Sequence, residues 1–384
     1  MRFTWLLGAI ACIAGIPGIS KAATDDATPK APAFTQQSAR DIIATSRKIV
    51  SGHGIETQLA IPVNGTRQWI SVRGHDARNP ILLFLHGGPA SPDMPLAWTF
   101  QSPWEDYFTV VQWDQRGTGK TYAANDSEHL GSSMTVAQMT ADAEAVVSYL
   151  RRTYHKKKIF LLGHSWGSVL GVRLAQAHPD WFYAYIGVGQ IVNMRESEAI
   201  GYRFALDQAR AHGNQEASRE LAGIAPYPPP GKPLDLASIG TQRKWLQTYG
   251  GLAWGRTGFE FDVEAEKLAP EYTDQDLAAI DKGSAFTMRY LLGPLTDVDF
   301  THTTHFDLPV LLFTGRHDYS VSHELTARWF ATLRAPVKKL VWFEDSAHMV
   351  MQEQPGRFLL HLVEDARPYA VKAGDVAPGE VVER

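Results

Sequence analysis

Short apolar runs that stop at glycine set the rhythm of this chain. Glu56–Val63 and Arg67–Val72 flank Asn64-Gly65, a pair suited to a type I′ turn, and so predict a β-hairpin. Ile81–Leu85 ends at His86-Gly87-Gly88, Phe108–Trp113 ends at Asp114-Gln115-Arg116-Gly117, and Ile159–Leu162 ends at Gly163. Tyr183–Val188, Pro309–Phe313 and Lys339–Phe343 continue the series. Runs that are apolar throughout suit strands covered on both faces. Between them the period changes: Ala143, Val146, Val147 and Leu150 recur at helical spacing within Thr140–Tyr154. Ser168–Ala177 and Gly356–Val363 read as further helices. This alternation predicts the α/β class, with a mostly parallel central sheet and helices on both faces.

From 192 to 300 the rhythm breaks. Glu198–Ala211 and Glu216–Ala222 are amphipathic helical pieces, followed by the proline-rich Pro226–Pro233 stretch. The region is expected to form a mainly helical cap inserted between core strands. Within it Glu260, Asp262 and Glu264 alternate with Phe261 and Val263, which predicts a half-exposed strand or extended loop. The expected organisation is a signal peptide over 1–22, a flexible leader over 23–47, core over 48–191, cap over 192–300, core again over 301–370, and a tail over 371–384.

The first segment changes the picture of where the protein works. Arg2 precedes an apolar run from Trp5 to Ile19, and Ser20 and Ala22 offer small residues before a cleavage point. This predicts a secretory signal peptide and a secreted or periplasmic protein, free of the membrane after cleavage. The single cysteine, Cys12, would leave with it, so a mature chain has no disulfide. The 384 residues are 44% hydrophobic and 20% charged, with a net charge of −4. Such a balance suits a soluble globular protein and argues against nucleic acid as a partner.

Gly163-His164-Ser165-Trp166-Gly167 fits the pattern G-x-S-x-G, with a buried strand running in and a helix running out. That setting predicts a nucleophile elbow, with Ser165 in a strained conformation at the carboxyl edge of the sheet. A serine hydroxyl needs a base to take its proton. The fold orders the partners as nucleophile, acid, base. Asp318 follows the strand ending at Thr314, and His348 lies on the loop after the last strand. These are the candidate acid and base. His302, His305, His317 and His323 do not lie on that loop. The oxyanion donors expected are the amides of Trp166 and of Gly88, with Gly87 as second choice, since Pro89 has no N–H. His86 is expected to anchor its loop.

His86-Gly87-Gly88-Pro89, Asp114–Thr121, Gly163–Ser168 and Gly315–Asp318 together resemble the prolyl aminopeptidase (proline iminopeptidase) family of α/β-hydrolase serine peptidases. The resemblance covers the core, about 50 to 190 and 305 to 365. Ala90 and His164 depart from its usual small residues, and its tryptophan-rich cap motif is not found. The resemblance implies an α/β-hydrolase fold and release of N-terminal proline from short peptides. It also implies that a cap carboxylate binds the substrate's amine. Glu196 is the first candidate for that role and Glu198 the second.

No cofactor is expected. The residues show no metal-ligand spacing, and Arg116–Thr121 fails the phosphate-loop pattern because Asp114 stands where glycine is needed. The expected partner is a small peptide or ester. A carboxylesterase or lactonase using the same triad is the alternative, and the oligomeric state stays open.

Overall fold

A computed structural model describes residues 33–378. The expected signal peptide over 1–22, with Cys12, lies outside the described residues. Eight strands form one sheet in the order β1-β2-β4-β3-β5-β6-β7-β8. They are β1 (Ile55–Val63), β2 (Thr66–Gly74), β3 (Ile81–Leu85), β4 (Thr109–Trp113), β5 (Ile159–His164), β6 (Phe182–Val188), β7 (Val310–Gly315) and β8 (Lys338–Phe343). β2 runs against both its neighbours, and all other pairings are parallel. The Asn64-Gly65 turn has positive φ at both residues, 43° and 78°, as a type I′ turn requires.

The apolar runs are buried because successive side chains serve opposite faces of the sheet. Ile81, Leu83 and Leu85 join one core with helices Val136–Thr153, Trp166–Ala177 and His323–Thr332. Leu82 and Phe84 join the other, with Trp104, Phe313 and Phe358. Trp104 stacks on Phe358 of helix Pro355–His361 at 5.0 Å. A buried aromatic pair of this kind contributes about 0.5–1.5 kcal/mol beyond its area.

Between β6 and β7 lie the helices Met194–Ala211, Gln215–Gly223, Leu236–Thr248, Glu260–Glu266 and Asp274–Thr296. Two expectations are corrected. Glu260–Glu266 is a helix rather than a strand or extended loop. Phe261 and Val263 point outward, 45% and 49% exposed, so the apolar residues sit on the solvent side and imitate a period of two. The stretch 23–47 is not a flexible leader throughout, because Gln36–Ser46 is helical. That helix buries none of its residues, and polar contacts hold it in place. Arg40 donates to the Lys267 carbonyl at 2.8 Å and pairs with Asp274 at 2.9 Å. Arg47, just beyond it, pairs with Glu271.

The register aligns the carboxyl ends of five strands. Leu85 is level with Gly163, His164 with Val188, Val188 with Phe313, and Gly315 with Phe343. The loops leaving β3, β5, β7 and β8 therefore converge on one edge.

Candidate active site

Ser165 occupies the turn between β5 and helix Trp166–Ala177, with φ 52° and ψ −120°. A non-glycine residue at positive φ is strained, and such strain concentrates at functional sites. Close approach of neighbouring chain explains the flanking glycines. A Cβ on Gly163 would stand 2.5 Å from the Gly167 carbonyl oxygen, and one on Gly167 would stand 1.9 Å from that of Leu85.

The other two residues meet as topology predicts. Nδ1 of His348 lies 2.8 Å from Oδ2 of Asp318. The other Asp318 oxygen accepts the N–H groups of Ser320 and Val321 at 3.0 and 2.8 Å. Asp318 is wholly buried, and every contact fixes its carboxylate on the imidazole. Burial pulls His348 below its ordinary value of 6.5; Asp318 opposes this, and His164 and Arg243 add to it. A neutral imidazole bound at Nδ1 presents Nε2 as the basic nitrogen.

The loop after β3 locks against the elbow. His86 is buried and bonds the Gly87 carbonyl through Nδ1 at 2.8 Å, while Nε2 accepts the Gln115 N–H at 3.3 Å. Burial pushes it down to about 4, which suits an anchor that stays neutral. Gln115 in turn accepts the Trp166 indole N–H at 3.0 Å. His86, Gln115 and Trp166 thus tie three motifs into one network.

The cap is strapped to the same loops by its backbone. The carbonyl of Leu252 accepts the N–H of His348 at 2.9 Å, and that of Gly251 accepts the N–H of Tyr319 at 3.0 Å. Glu353 accepts N–H groups from both Trp254 and Ala347.

Ser165, His348, Gly87 and Gly88 open into a cavity of about 390 Å³. Ile191, Met194, Leu252, Phe259, Met288 and Leu295 supply apolar wall. Three carboxylates reach it: Asp93, Asp262 and Glu266. Asp93 is 5% exposed and its carboxylate accepts no hydrogen bond among the described residues; Nδ1 of His164 lies 3.8 Å from it. That nitrogen is itself buried and unbonded. Glu266 also has no hydrogen-bond or ion-pair partner among the described residues. Burial, joined by the charges of Asp262, Asp281 and Asp93, pushes Glu266 up to about 7. Burial also raises Asp262, against the pull of Arg256.

Neither glutamate anticipated as amine ligand lines this cavity. Glu196 sits in the first turn of helix Met194–Ala211, its side chain 48% exposed and paired with Arg328 on the surface. Ser197 and Glu198 beside it are buried while Glu196 faces solvent, outside the cavity, so it is not placed to bind an amine there. Glu198 is buried one half-turn on. It is ion-paired with Arg243 and accepts the Tyr227 hydroxyl at 2.5 Å. Arg243, not Glu198, reaches the cavity. The sequence carried one usable signal for the missed acids: Asp262 and Glu266 are four apart and share a helix face.

Residues 82–360 match the Alpha/beta hydrolase family. The chain is 31% identical over 316 residues to the probable aminopeptidase YbaC of Bacillus subtilis (strain 168), spanning 80% of this chain and 95% of that one. It is 35% identical over 99 residues to a proline iminopeptidase of Neisseria gonorrhoeae, covering 26% of this chain and 29% of that protein. Among solved structures, a proline iminopeptidase of Mycobacterium smegmatis superimposes with TM-score 0.56 at 18% identity, over 83% of this chain and all of its own. Est816, an N-acyl homoserine lactone degrading enzyme, superimposes with TM-score 0.52 at 15% identity, over 80% and 99%. At these identities the two structures share the fold.

Proposed function

Because this chain belongs to the alpha/beta hydrolase family, we propose that it is a serine aminopeptidase that releases an N-terminal residue, proline first among them, from short peptides. Ser165 attacks the scissile carbonyl while His348 takes its proton, and Asp318 stabilises the imidazolium. The amides of Gly88 and Trp166 hold the oxyanion. His348 then protonates the departing amine, and water repeats the sequence to free the acyl group from Ser165.

The observation that carries the peptidase reading is the pair of carboxylates, Asp93 and Glu266, that line the cavity of Ser165 and accept no hydrogen bond among the described residues. A buried carboxylate without a partner is costly, and a substrate ammonium would relieve it. The names of the relatives, probable aminopeptidase and proline iminopeptidase, support the same reading. Proline β-naphthylamide should therefore be cleaved far better than its N-acetyl derivative. Equal cleavage of the two, or cleavage of p-nitrophenyl acetate alone, would replace this reading with the esterase or lactonase alternative, which the apolar wall of the cavity also suits.

Export is part of the proposal. The apolar run from Trp5 to Ile19 and the small residues Ser20 and Ala22 support cleavage after Ala22, with the mature enzyme in the periplasm or medium. N-terminal sequencing of protein from its native host should begin near Ala23, and an intact Met1 on cytoplasmic protein would refute it.

A further inference from the structure

Arg243 is a charged group in the cavity wall that the proposed chemistry does not use. Its guanidinium has five N–H donors in a rigid fork. Both Nη1 hydrogens are engaged, by Glu198 Oε2 at 3.0 Å and by Gln242 Oε1, and one Nη2 hydrogen binds Glu198 Oε1. What remains is Nε–H and the second Nη2–H. These two lie side by side on one edge of the fork, and neither has a partner among the described residues. The side chain is 20% accessible, in a residue that lines the cavity together with Ser165. A pair of parallel N–H donors is the geometry that binds a carboxylate bidentately.

The position of this edge says which carboxylate. The charge of Arg243 acts on both His348 and Asp318. The charges of Asp93 and Asp262 act on Glu266, and that of Asp93 acts on Asp262. His348 must hand its proton to the departing amine, so the leaving group lies on the histidine's side of the scissile bond. Asp93 follows the Gly87–Pro89 loop and lines the same cavity. The cavity thus offers both charges that a dipeptide needs: acids for the ammonium and a free guanidinium edge for the carboxylate.

We propose that Arg243 binds the C-terminal carboxylate of a dipeptide, so that the preferred substrates are two residues long with both ends free. This inference rests on the aminopeptidase reading for the direction of the chain in the site. Glu198 keeps Arg243 oriented, and its own charge is matched by the end-on edge of the fork.

The test compares a prolyl dipeptide with its C-terminal amide, which has the same shape and no terminal charge. Calorimetric binding to Ser165→Ala should favour the acid by about tenfold or more. Wild-type kcat/KM should show a preference of the same order. Arg243→Lys keeps a cation for Glu198 but loses the fork, and in it the acid-to-amide ratio should fall to near one. The ratio is the readout because a loss of fold or of triad geometry lowers both terms alike. A wild-type ratio near one overturns the inference, and so does a preference kept in Arg243→Lys. If that variant does not fold, the wild-type ratio and the binding difference decide alone. If neither compound is hydrolysed yet the acid binds Ser165→Ala more tightly, the aminopeptidase reading fails while the carboxylate site stands. Equal binding without hydrolysis overturns both.

Discussion

The sheet edge that carries Asp318 and the cavity that carries Asp93 and Glu266 are both buried among apolar side chains, yet their carboxylates live differently. Asp318 has each oxygen satisfied, by His348, Ser320 and Val321. Asp93 and Glu266 have no hydrogen-bond partner among the described residues. A satisfied carboxylate holds something in place. An unsatisfied one is poised to gain a partner that the chain does not supply. On the proposed reading, the difference separates residues that organise the chemistry from residues that receive the substrate's amine.

The strongest way to break this contrast is at the elbow. Ser165→Ala should lower kcat by about 10⁴-fold or more, while the melting temperature stays close to wild type, because the hydroxyl adds little packing. Residual turnover near wild type would remove Ser165 from the mechanism. The waiting carboxylates come next. Asp93→Asn or Glu266→Gln should reduce the ratio of kcat/KM on proline β-naphthylamide to that on p-nitrophenyl acetate by about 10- to 100-fold, the worth of one charge-assisted contact of about 1.5–3 kcal/mol. An unchanged ratio would mean that these acids do not meet the amine.

The pH dependence sharpens the same contrast with a smaller effect. His348 acts as base when neutral, and burial lowers it, so ester turnover should rise through an ionisation below 6.5. The amine substrate also needs Glu266 ionised, which happens above about 7. Its acid limb should therefore lie higher than that of the ester, through a KM that climbs as pH falls past 7. Coincident limbs would detach Glu266 from binding. The smallest effect is expected at Glu196. Glu196→Gln removes an exposed pair with Arg328, worth about 0–1 kcal/mol. Amine and ester turnover should both stay within about twofold. A selective loss on the free amine would restore Glu196 as its ligand.

The readability of the sequence follows the same division. Ser165, Asp318 and His348 are legible because each follows a strand whose apolar run is unmistakable, and strand order dictates which loop meets which. The hairpin at Asn64-Gly65 is legible because two residues determine the turn. The cavity acids are not, since their meaning depends on which way a cap helix faces. Asp262 and Glu266 point inward while Phe261 and Val263 point out, the reverse of the usual rule; their spacing of four says that they share a helix face but not which way that face turns. Glu196 misleads for the complementary reason: a position near the right strand says nothing about the side to which a side chain turns. Gln36–Ser46 escapes notice because ion pairs to distant residues, not an apolar stripe, hold it.

The backbone bonds from Gly251 and Leu252 bear on how this enzyme could be re-engineered. The carbonyl of Leu252 is part of the bearing on which His348 rests, and that of Gly251 steadies the loop of Asp318. A graft that exchanged the whole segment between β6 and β7 for a foreign one would remove this bearing along with the old specificity. The safe boundaries for such a chimera lie on either side of Gly250–Trp254, so that the donor supplies pocket walls and the recipient keeps the strap.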